Sequence, residues 1–336
     1  MQKITIPSKL PLNHSLTNFI YDPSIDIYTI DTQLYENVYL TPSGVAFKNL
    51  KMLPNTYPLM DWTIKEFRKI MLVNFFFRLR HYLPKNRQYL LAYNIWTVGN
   101  SPSAGYYHWI AETLPRIFAN FEKLSTLTLL LPERAQKVPF VQETLPHLPF
   151  EEIVYIPEKK LSIVPKLWVT SYLQGFGFFE PSLLHRVRNF LWEKSNIDSY
   201  AHPKIYVSRS RARARRIVNE QTIIPILKEL GFDIFHFEDL RLFEQIALMK
   251  QATHFVTLHG AALTNALFMK EHQSVMELMR EIKEPYLLYM GYCSILNLKY
   301  YVQFCSATNP NDIFDIADVT VDPQEFRKNL ELICSQ

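Results

Sequence analysis

Five arginines follow directly on a short apolar run, and their type and spacing suit the binding of an anion. The run Ile205-Tyr206-Val207 is typical of a buried strand, and Asn219-Glu220 opens a helical pattern that continues to Leu230. The arginines lie between these elements, at positions 209, 211, 213, 215 and 216. Guanidinium groups match the geometry of phosphate, and a helix N-terminus adds oriented N–H groups. The stretch predicts a diphosphate site at a strand-to-helix connection, although a solvated basic loop has the same composition.

A second stretch, Gly105 to Arg116, places an imidazole and a carboxylate four residues apart. At that spacing His108 and Glu112 share one face of a helix. Each group tunes the proton affinity of the other, so the pair could act as a general base. A simple surface or core hydrogen bond between the two side chains is the alternative reading.

A third stretch, His254 to Asn265, is a buried strand that breaks at His259-Gly260 and continues into a helix rich in small residues. Small residues at a helix start let a ligand approach the backbone N–H groups. A tight turn packed against a sheet fits the pattern equally well.

The elements around these stretches predict an α/β protein of two domains. A chain of 336 residues exceeds what one hydrophobic core usually fills. The linker-like segment Asn196–Pro203 separates a domain of residues 1–198 from a domain of residues 199–336. Strands alternate with helices in both halves, which predicts parallel sheets flanked by helices. The predicted strands lie at 89–93, 127–131, 153–156, 167–171, 204–207, 233–237, 254–258, 274–278 and 300–304.

The N-terminal 53 residues and the segment Met71–Leu83 depart from this alternation. Alternating runs at 25–30, 36–40 and 45–47 predict β-hairpins that extend the first domain. Met71–Leu83 mixes aromatic residues with arginines and a histidine. That composition predicts either an aromatic core helix with a basic rim, which we favour, or a surface helix that contacts a membrane.

Composition limits the classes of function. Lys and Arg number 36 against 32 Asp and Glu, a formal net charge of only +4, so the arginine cluster is a local patch. Binding along a nucleic-acid backbone usually needs charge spread over several phosphates, which argues against such a partner. Three cysteines without metal-type spacing suggest neither a disulfide framework nor a zinc site. The cysteine pattern fits a reducing cytosol, so we expect a cytoplasmic protein. No segment has the length and apolarity of a membrane span, so we expect it to be soluble or peripheral to the membrane.

Taken together, the three stretches resemble glycosyltransferase family 61, a capsular-polysaccharide-biosynthesis type that includes bacterial members. An aromatic pair, His-Trp and an acid before Leu-Pro-Arg are present from Tyr106 to Arg116. The strand, basic loop and Asn of the family correspond to Tyr206, Val207, Ser208, Arg209, Arg216 and Asn219. The His-Gly-Ala-Gly-Leu-Thr-Asn motif corresponds to His259–Asn265, with Ala262 in place of the second Gly. Glu277 occupies the place of a further acid in the next strand.

The resemblance implies a GT-B-like fold, in which two Rossmann-like domains face each other across a cleft, and an inverting, metal-independent glycosyltransferase. The partners would be a nucleotide-sugar donor, expected to be UDP-linked, and a glycan acceptor, at the inner face of a membrane. No cofactor and no metal are expected, since no D-x-D triplet occurs. Glu112 would be the catalytic base, with His108 beside it, and Tyr107, Trp109 and Arg116 would lie on the acceptor side. The donor would be held by Arg209, Arg216, Asn219, His259, Gly260, Ala261, Thr264, Asn265 and Glu277.

Two other functions remain open at the level of sequence. A catalytically inactive relative that binds carbohydrate or nucleotide would have the same fold, since fold alone does not establish activity. A nucleic-acid-binding protein that uses the arginine-rich loop is the other alternative.

Overall fold

The structure, a computed structural model, describes residues 2–13, 24–56, 79–94, 97, 105–172, 178–195, 202–281, 288–312 and 316–335. The chain divides into two compact units. Unit 1 comprises Met1–Thr5 and Asp26–Val187, and unit 2 comprises Ile6–Ile25 and Arg188–Gln336. The chain therefore passes between the units after Thr5, Ile25 and Val187. Residues 196–201 of the predicted linker lie outside the described residues.

Unit 1 is built on a mixed sheet with a parallel part and an antiparallel extension. The strands of this sheet are β3 (Thr32–Leu40), β4 (Ala46–Lys48), β5 (Lys51–Met52), β6 (Leu79–Tyr82), β7 (Tyr89–Leu91), β8 (Thr128–Pro132), β9 (Glu152–Ile156) and β10 (Lys160–Thr170). A separate small sheet contains β1 (Lys3–Pro7), β2 (Ser24–Tyr28) and β11 (Phe178–Phe179). The order β5-β4-β3-β10-β7-β8-β9 is parallel from β10 to β9, and β6 also pairs with β10. Strand β8 reads Thr-Leu-Leu-Leu-Pro and is buried throughout, as expected for the interior of a parallel sheet.

The helices of unit 1 follow the parallel strands. After β7 the chain forms a π-helix at His108–Thr113 and continues as α1 (Leu114–Phe118). After β8 come the 3₁₀ helix Glu133–Lys137, then α2 (Pro139–Thr144) and the 3₁₀ turn Leu145–His147. A further 3₁₀ helix, Phe121–Thr126, precedes β8, and α3 (Pro181–Lys194) leads from unit 1 into unit 2.

Unit 2 contains a parallel sheet with helical crossovers. Its strands are β12 (Lys204–Val207), β13 (Asp233–Phe235), β14 (His254–Leu258), β15 (Ser274–Arg280), β16 (Lys299–Ala307) and β17 (Val319–Thr320). The order is β13-β12-β14-β15-β16-β17, with only β17 antiparallel. The first five strands therefore follow the doubly wound order 2-1-3-4-5, in which the chain reverses its direction of winding between β12 and β14.

Each crossover in unit 2 contains a helix. The helices are α4 (Glu220–Glu229), α5 (Leu242–Gln251), the 3₁₀ helix Ala261–Phe268 and α6 (Leu288–Ile295), with a short 3₁₀ turn at Phe237–Asp239. The chain ends in α7 (Pro323–Cys334), whose N-cap Asp322 accepts hydrogen bonds from the N–H groups of Gln324 (2.8 Å) and Glu325 (3.0 Å). Side chains of α4, α7 and the sheet form one buried cluster that includes Ile223, Met276 and Phe326.

The α/β class predicted from the sequence is confirmed, with corrections in unit 1. The hairpin of β3 and β4 is present, but β2 does not join it and pairs with β1 and β11 instead. The helix predicted over Met71–Leu83 is wrong at its end, because Leu79–Tyr82 form β6 and pair in parallel with β10. Residues 71–78 lie outside the described residues. Strand β10 begins seven residues before its predicted start, at Lys160, because its first half pairs with β3 and β6.

Among the described residues, no helix combines the length and the apolarity that crossing a bilayer requires.

Candidate active site

The arginine-rich loop and the His259-Gly260 turn of unit 2 meet at the switch point of its sheet. The loop follows β12 and the turn follows β14, and these two strands are parallel neighbours. In open α/β sheets, ligands bind outside the carboxyl ends of the strands at such a point. Gly260 has φ +154° and ψ −176°, a combination that only glycine adopts readily. A methyl group in place of its hydrogen would lie 2.7 Å from Nη1 of Arg209, so the guanidinium rests directly against this backbone.

Arg209 is the most enclosed arginine of the loop. Its Nε donates to the carbonyl of Arg215 (3.0 Å) and its Nη2 to the carbonyl of Ala214 (3.3 Å). Burial, together with repulsion from the charge of Arg215, lowers the pKa of Arg209 to about 10. Arg209 therefore remains cationic at neutral pH, and neither Arg209 nor Arg215 forms an ion pair with any described residue.

Arg215, His259 and Arg280 line a small cavity at the end of β14. Arg280 ends β15 and donates to the carbonyls of Asp312 (2.5 Å) and Pro310 (2.9 Å), while its buried Nε lacks a hydrogen-bond partner. Arg215 has the left-handed backbone conformation (φ +57°), which is unfavourable for a residue with a side chain. Arg215 and Arg280 therefore border His259, and Arg209 lies against the adjoining Gly260. Glu238 attracts Arg209 electrostatically, but none of the three arginines forms an ion pair among the described residues.

Two other arginines of the loop are paired with carboxylates at the surface. Arg211 contacts Asp239 at 2.6 Å, and Arg216 contacts Asp318 at 2.8 Å. Arg213 is exposed. Arg216 also borders a depression lined by Ser210 and Gln221 at the start of α4. Of the two arginines predicted to hold the donor, Arg209 lies at the switch point and Arg216 lies in an exposed ion pair.

Glu277 is fully buried and contacts protein groups through both carboxylate oxygens. Oε1 accepts a hydrogen bond from Nδ1 of His259, and Oε2 accepts one from the hydroxyl of Tyr300 (2.6 Å). Glu277 lies in β15, and His259 lies in the turn that follows the neighbouring parallel strand β14. The carboxylate therefore fixes the orientation of the imidazole. In the structure Glu277 is fully buried, so it supports His259 and is not exposed to a ribose.

Three other residues predicted to hold the donor make structural contacts. The amide of Asn219 donates to the carbonyl of Val321 (2.7 Å) and accepts from its N–H (3.0 Å). Thr264 and Asn265 are buried, and Asn265 donates to Gln245 (3.3 Å). Ala261 differs from these, because the first N–H groups of a helix have no partner within it and remain available to a ligand.

In unit 1, His108 and Glu112 are in direct contact, as predicted. Nδ1 of His108 lies 2.8 Å from Oε2 of Glu112, which also accepts a hydrogen bond from Nδ2 of Asn94 (3.0 Å). The segment is a π-helix, in which Leu114 N–H donates to the carbonyl of Trp109 five residues earlier. Pro115 contributes to this widening, because it lacks an N–H and its ring clashes with the carbonyl four residues before it. Such π-segments occur often at functional sites.

Two of the three residues predicted on the acceptor side belong to the interior of unit 1. Trp109 is fully buried and donates through Nε1 to Thr144 (3.3 Å). Arg116 donates to the carbonyls of Ala92 and Thr170, both at 2.5 Å, and so joins the carboxyl ends of β7 and β10. Burial lowers the pKa of Arg116 to about 10. Tyr107 is half-buried, with its ring edge-on to His108 at 5.4 Å.

Sequence reasoning did not single out Asn94, Arg215 or Arg280. Asn94 and Arg280 stand at or just past the carboxyl ends of predicted strands, a position that could have marked them. Arg215 could not be separated from its neighbours in a run of arginines. No described group of three or more His, Cys, Asp or Glu side chains could hold a metal ion.

Comparison with models of known protein families gives a match that spans both parts of the candidate site. Residues 106–276, just over half of the 336-residue chain, match the family model described as Glycosyltransferase 61. This range contains the His108–Glu112 pair, the arginine-rich loop and the His259-Gly260 turn. A search of curated proteins found no match.

Proposed function

Since this chain belongs to glycosyltransferase family 61, we propose that it is an inverting glycosyltransferase that moves a sugar from a nucleoside-diphosphate donor to a glycan acceptor without a metal. The observation that carries the proposal is the group of Arg209, Arg215 and Arg280 around His259-Gly260. Collecting like charges in a partly enclosed place is unfavourable unless an anion joins them. A diphosphate supplies that anion, and the guanidinium groups supply donors of matching geometry.

The same cations have a chemical role in the transfer. When the bond between the anomeric carbon and the phosphate oxygen breaks, the leaving nucleoside diphosphate gains negative charge. Arg209 and Arg215 would stabilise that charge, together with the N–H groups of Ala261 and Ala262. Fixed donors of this kind perform the task that a divalent cation performs elsewhere, which is the basis for proposing metal independence.

Glu112 is the proposed base. Its Oε1 has no hydrogen-bond partner among the described residues, whereas Oε2 receives donors from His108 and Asn94. Oε1 would take the proton of the acceptor hydroxyl as that oxygen forms a bond to the anomeric carbon, on the face opposite the departing diphosphate. Tyr107 would contact the acceptor. The proposal retains the GT-B expectation, in which unit 1 supplies the base and unit 2 binds the donor.

The pathway is proposed from the family resemblance alone. We propose polysaccharide or lipopolysaccharide assembly at a cytoplasmic membrane face. Nucleic-acid binding is disfavoured because Arg211 and Arg216, two of the five loop arginines, are already paired with Asp239 and Asp318. A non-catalytic relative is disfavoured because the His108–Glu112 contact is present.

A thermal-shift panel followed by a turnover assay tests this function. The panel consists of UDP-, GDP-, ADP- and CMP-linked sugars, and a donor at about 100 times its Kd adds roughly 2.7 kcal/mol of stability. The donor with the largest shift is then incubated with a mixture of oligosaccharide acceptors, and release of the nucleotide is measured. Stabilisation by a diphosphate-linked sugar and release of its nucleotide support the proposal. Stabilisation by heparin or DNA oligonucleotides in place of any nucleotide sugar contradicts it.

A further inference from the structure

We propose that Asn94 is a positioning residue that holds the Glu112 carboxylate in the orientation needed to accept a proton, an inference that rests on the proposed function. Asn94 follows β7, three residues past its end, and approaches the π-helix from the carboxyl edge of the parallel strands. It lies outside the range that matches the family model.

The contacts of Glu112 separate its two oxygens into different roles. Oε2 accepts hydrogen bonds from Nδ2 of Asn94 (3.0 Å) and Nδ1 of His108 (2.8 Å). Within the described part of the chain, Oε1 receives no hydrogen bond. Two donors from different elements, one from the β7 end and one from the same helix, fix the rotation of the carboxylate. The Glu112 side chain is only 12% exposed, so few other orientations are open to it.

The orientation of the Asn94 amide is itself determined by its neighbours. Oδ1 accepts the N–H of Thr97 (2.9 Å), and the N–H of Asn94 donates to Oγ1 of Thr97 (2.9 Å). That hydroxyl also contacts Oγ1 of Thr113 at 2.9 Å, next to Glu112 in the π-helix. Because Oδ1 is committed to Thr97, the amide nitrogen must face Glu112, which resolves the usual ambiguity of an Asn side chain. All three residues are buried, so the network is rigid.

This arrangement has a chemical consequence for a general base. A base is effective only when the accepting oxygen is held within hydrogen-bond reach of the proton, and small misplacements cost large factors in rate. A role limited to packing would affect folding stability and leave the transfer step unchanged. A positioning role affects turnover only while the Glu112 carboxylate is present.

The test uses two variants of Asn94 in the full-length protein, each with and without Glu112→Gln. Asn94→Ala removes the amide. Asn94→Asp keeps the shape of the side chain and the oxygen that accepts from Thr97. It replaces Nδ2, which donates to Glu112, by an oxygen that cannot donate. Thr144→Val is the matched control. It removes a buried hydrogen bond from Trp109, which lies in the same π-helix as Glu112, but no hydrogen bond joins Thr144 to Glu112. Nucleotide release, donor Kd and melting temperature are measured with the best donor of a panel of UDP-, GDP-, ADP- and CMP-linked sugars.

We expect Asn94→Ala to lower kcat by about 10- to 100-fold with donor Kd within twofold. Asn94→Asp should lower kcat at least as much despite its similar shape, because two carboxylates would face each other. In the Glu112→Gln background neither change should lower kcat further. Full additivity, better activity in Asn94→Asp than in Asn94→Ala, or a loss no larger than that of Thr144→Val overturns the inference. Near-normal turnover of Glu112→Gln alone instead overturns the proposed base, and the role of Asn94 with it.

Discussion

Replacing Arg209 by Gln should weaken nucleotide binding far more than the same replacement of Arg211. Gln retains an amide that can still donate to the loop carbonyls, but it removes the charge. In the structure Nε and Nη2 of Arg209 are used by the carbonyls of Arg215 and Ala214, which leaves the Nη1 side, against Gly260, for a phosphate. The ligand therefore loses about one charged hydrogen bond.

One such bond contributes on the order of 1.5 to 3 kcal/mol, so the Kd should rise by about 10- to 150-fold. The unliganded melting temperature should change little, because the lost contacts are offset by removal of a buried charge that Arg215 repels. Arg211 is more than half exposed and paired with Asp239, so Arg211→Gln should change the Kd by less than about threefold.

Isothermal titration calorimetry with UDP, GDP and ADP measures these affinities. The nucleotide that wild type binds most tightly is then titrated into both variants at one fixed salt concentration, since exposed charges are screened by salt. Equal losses in Arg209→Gln and Arg211→Gln would indicate nonspecific attraction to a basic loop. Wild-type affinity in Arg209→Gln would remove this side chain from the site.

Three further outcomes follow from the same contacts. Gly260→Ala should weaken nucleotide binding by about tenfold or more, because its methyl group would displace the Arg209 guanidinium. Calorimetry measures the Kd, and an unchanged value would contradict this expectation. Turnover should survive EDTA, and recovery of a lost activity by added magnesium or manganese would show that a metal stabilises the leaving group. Burial raises the pKa of Asp318, but hydrogen bonds from Arg216 outweigh it and hold the pKa below 3.8. The pair therefore stabilises the fold above that pH and loses its effect as pH falls through the folded pKa. The ion pair contributes at most about 1 kcal/mol to stability. The difference in melting temperature between wild type and Asp318→Asn should therefore become smaller as the pH is lowered from about 5 to about 3. A difference that is constant with pH would contradict this.

Much of unit 2 could be predicted from the sequence because its local signals agree with its tertiary structure. Strand β14 was predicted with its observed bounds, His254–Leu258, and α7 begins at the Asp322 cap with Pro323 in its first turn. The short crossovers each contain one helix, so sequence order and spatial order are closely linked. The meeting of the arginine loop with His259-Gly260 follows from parallel pairing of β12 and β14.

Unit 1 was less predictable because its sheet depends on distant pairing. Strand β10 pairs with β3 more than 120 residues earlier, and nothing local to Lys160–Thr170 specifies that partner. Leu79–Tyr82 have an ambiguous pattern that pairing with β10 resolves as a strand. The partners of the side chains at the candidate site were equally hard to predict from the sequence. The four-residue spacing predicted that His108 and Glu112 lie on one helix face. It could not indicate that Glu277 is buried or that Arg216 forms an ion pair with Asp318.

The most direct test of the central claim is the turnover of Glu112→Gln compared with its donor affinity. Gln keeps the size of the side chain but cannot accept the proton. If Glu112 is the base of a glycosyl transfer, nucleotide release should fall by about 100- to 10,000-fold. The Kd of the donor, which we assign to the arginine group of unit 2, should stay within about twofold of wild type, and the melting temperature should match that of Thr144→Val or exceed it. Turnover close to wild type in this variant would contradict the account.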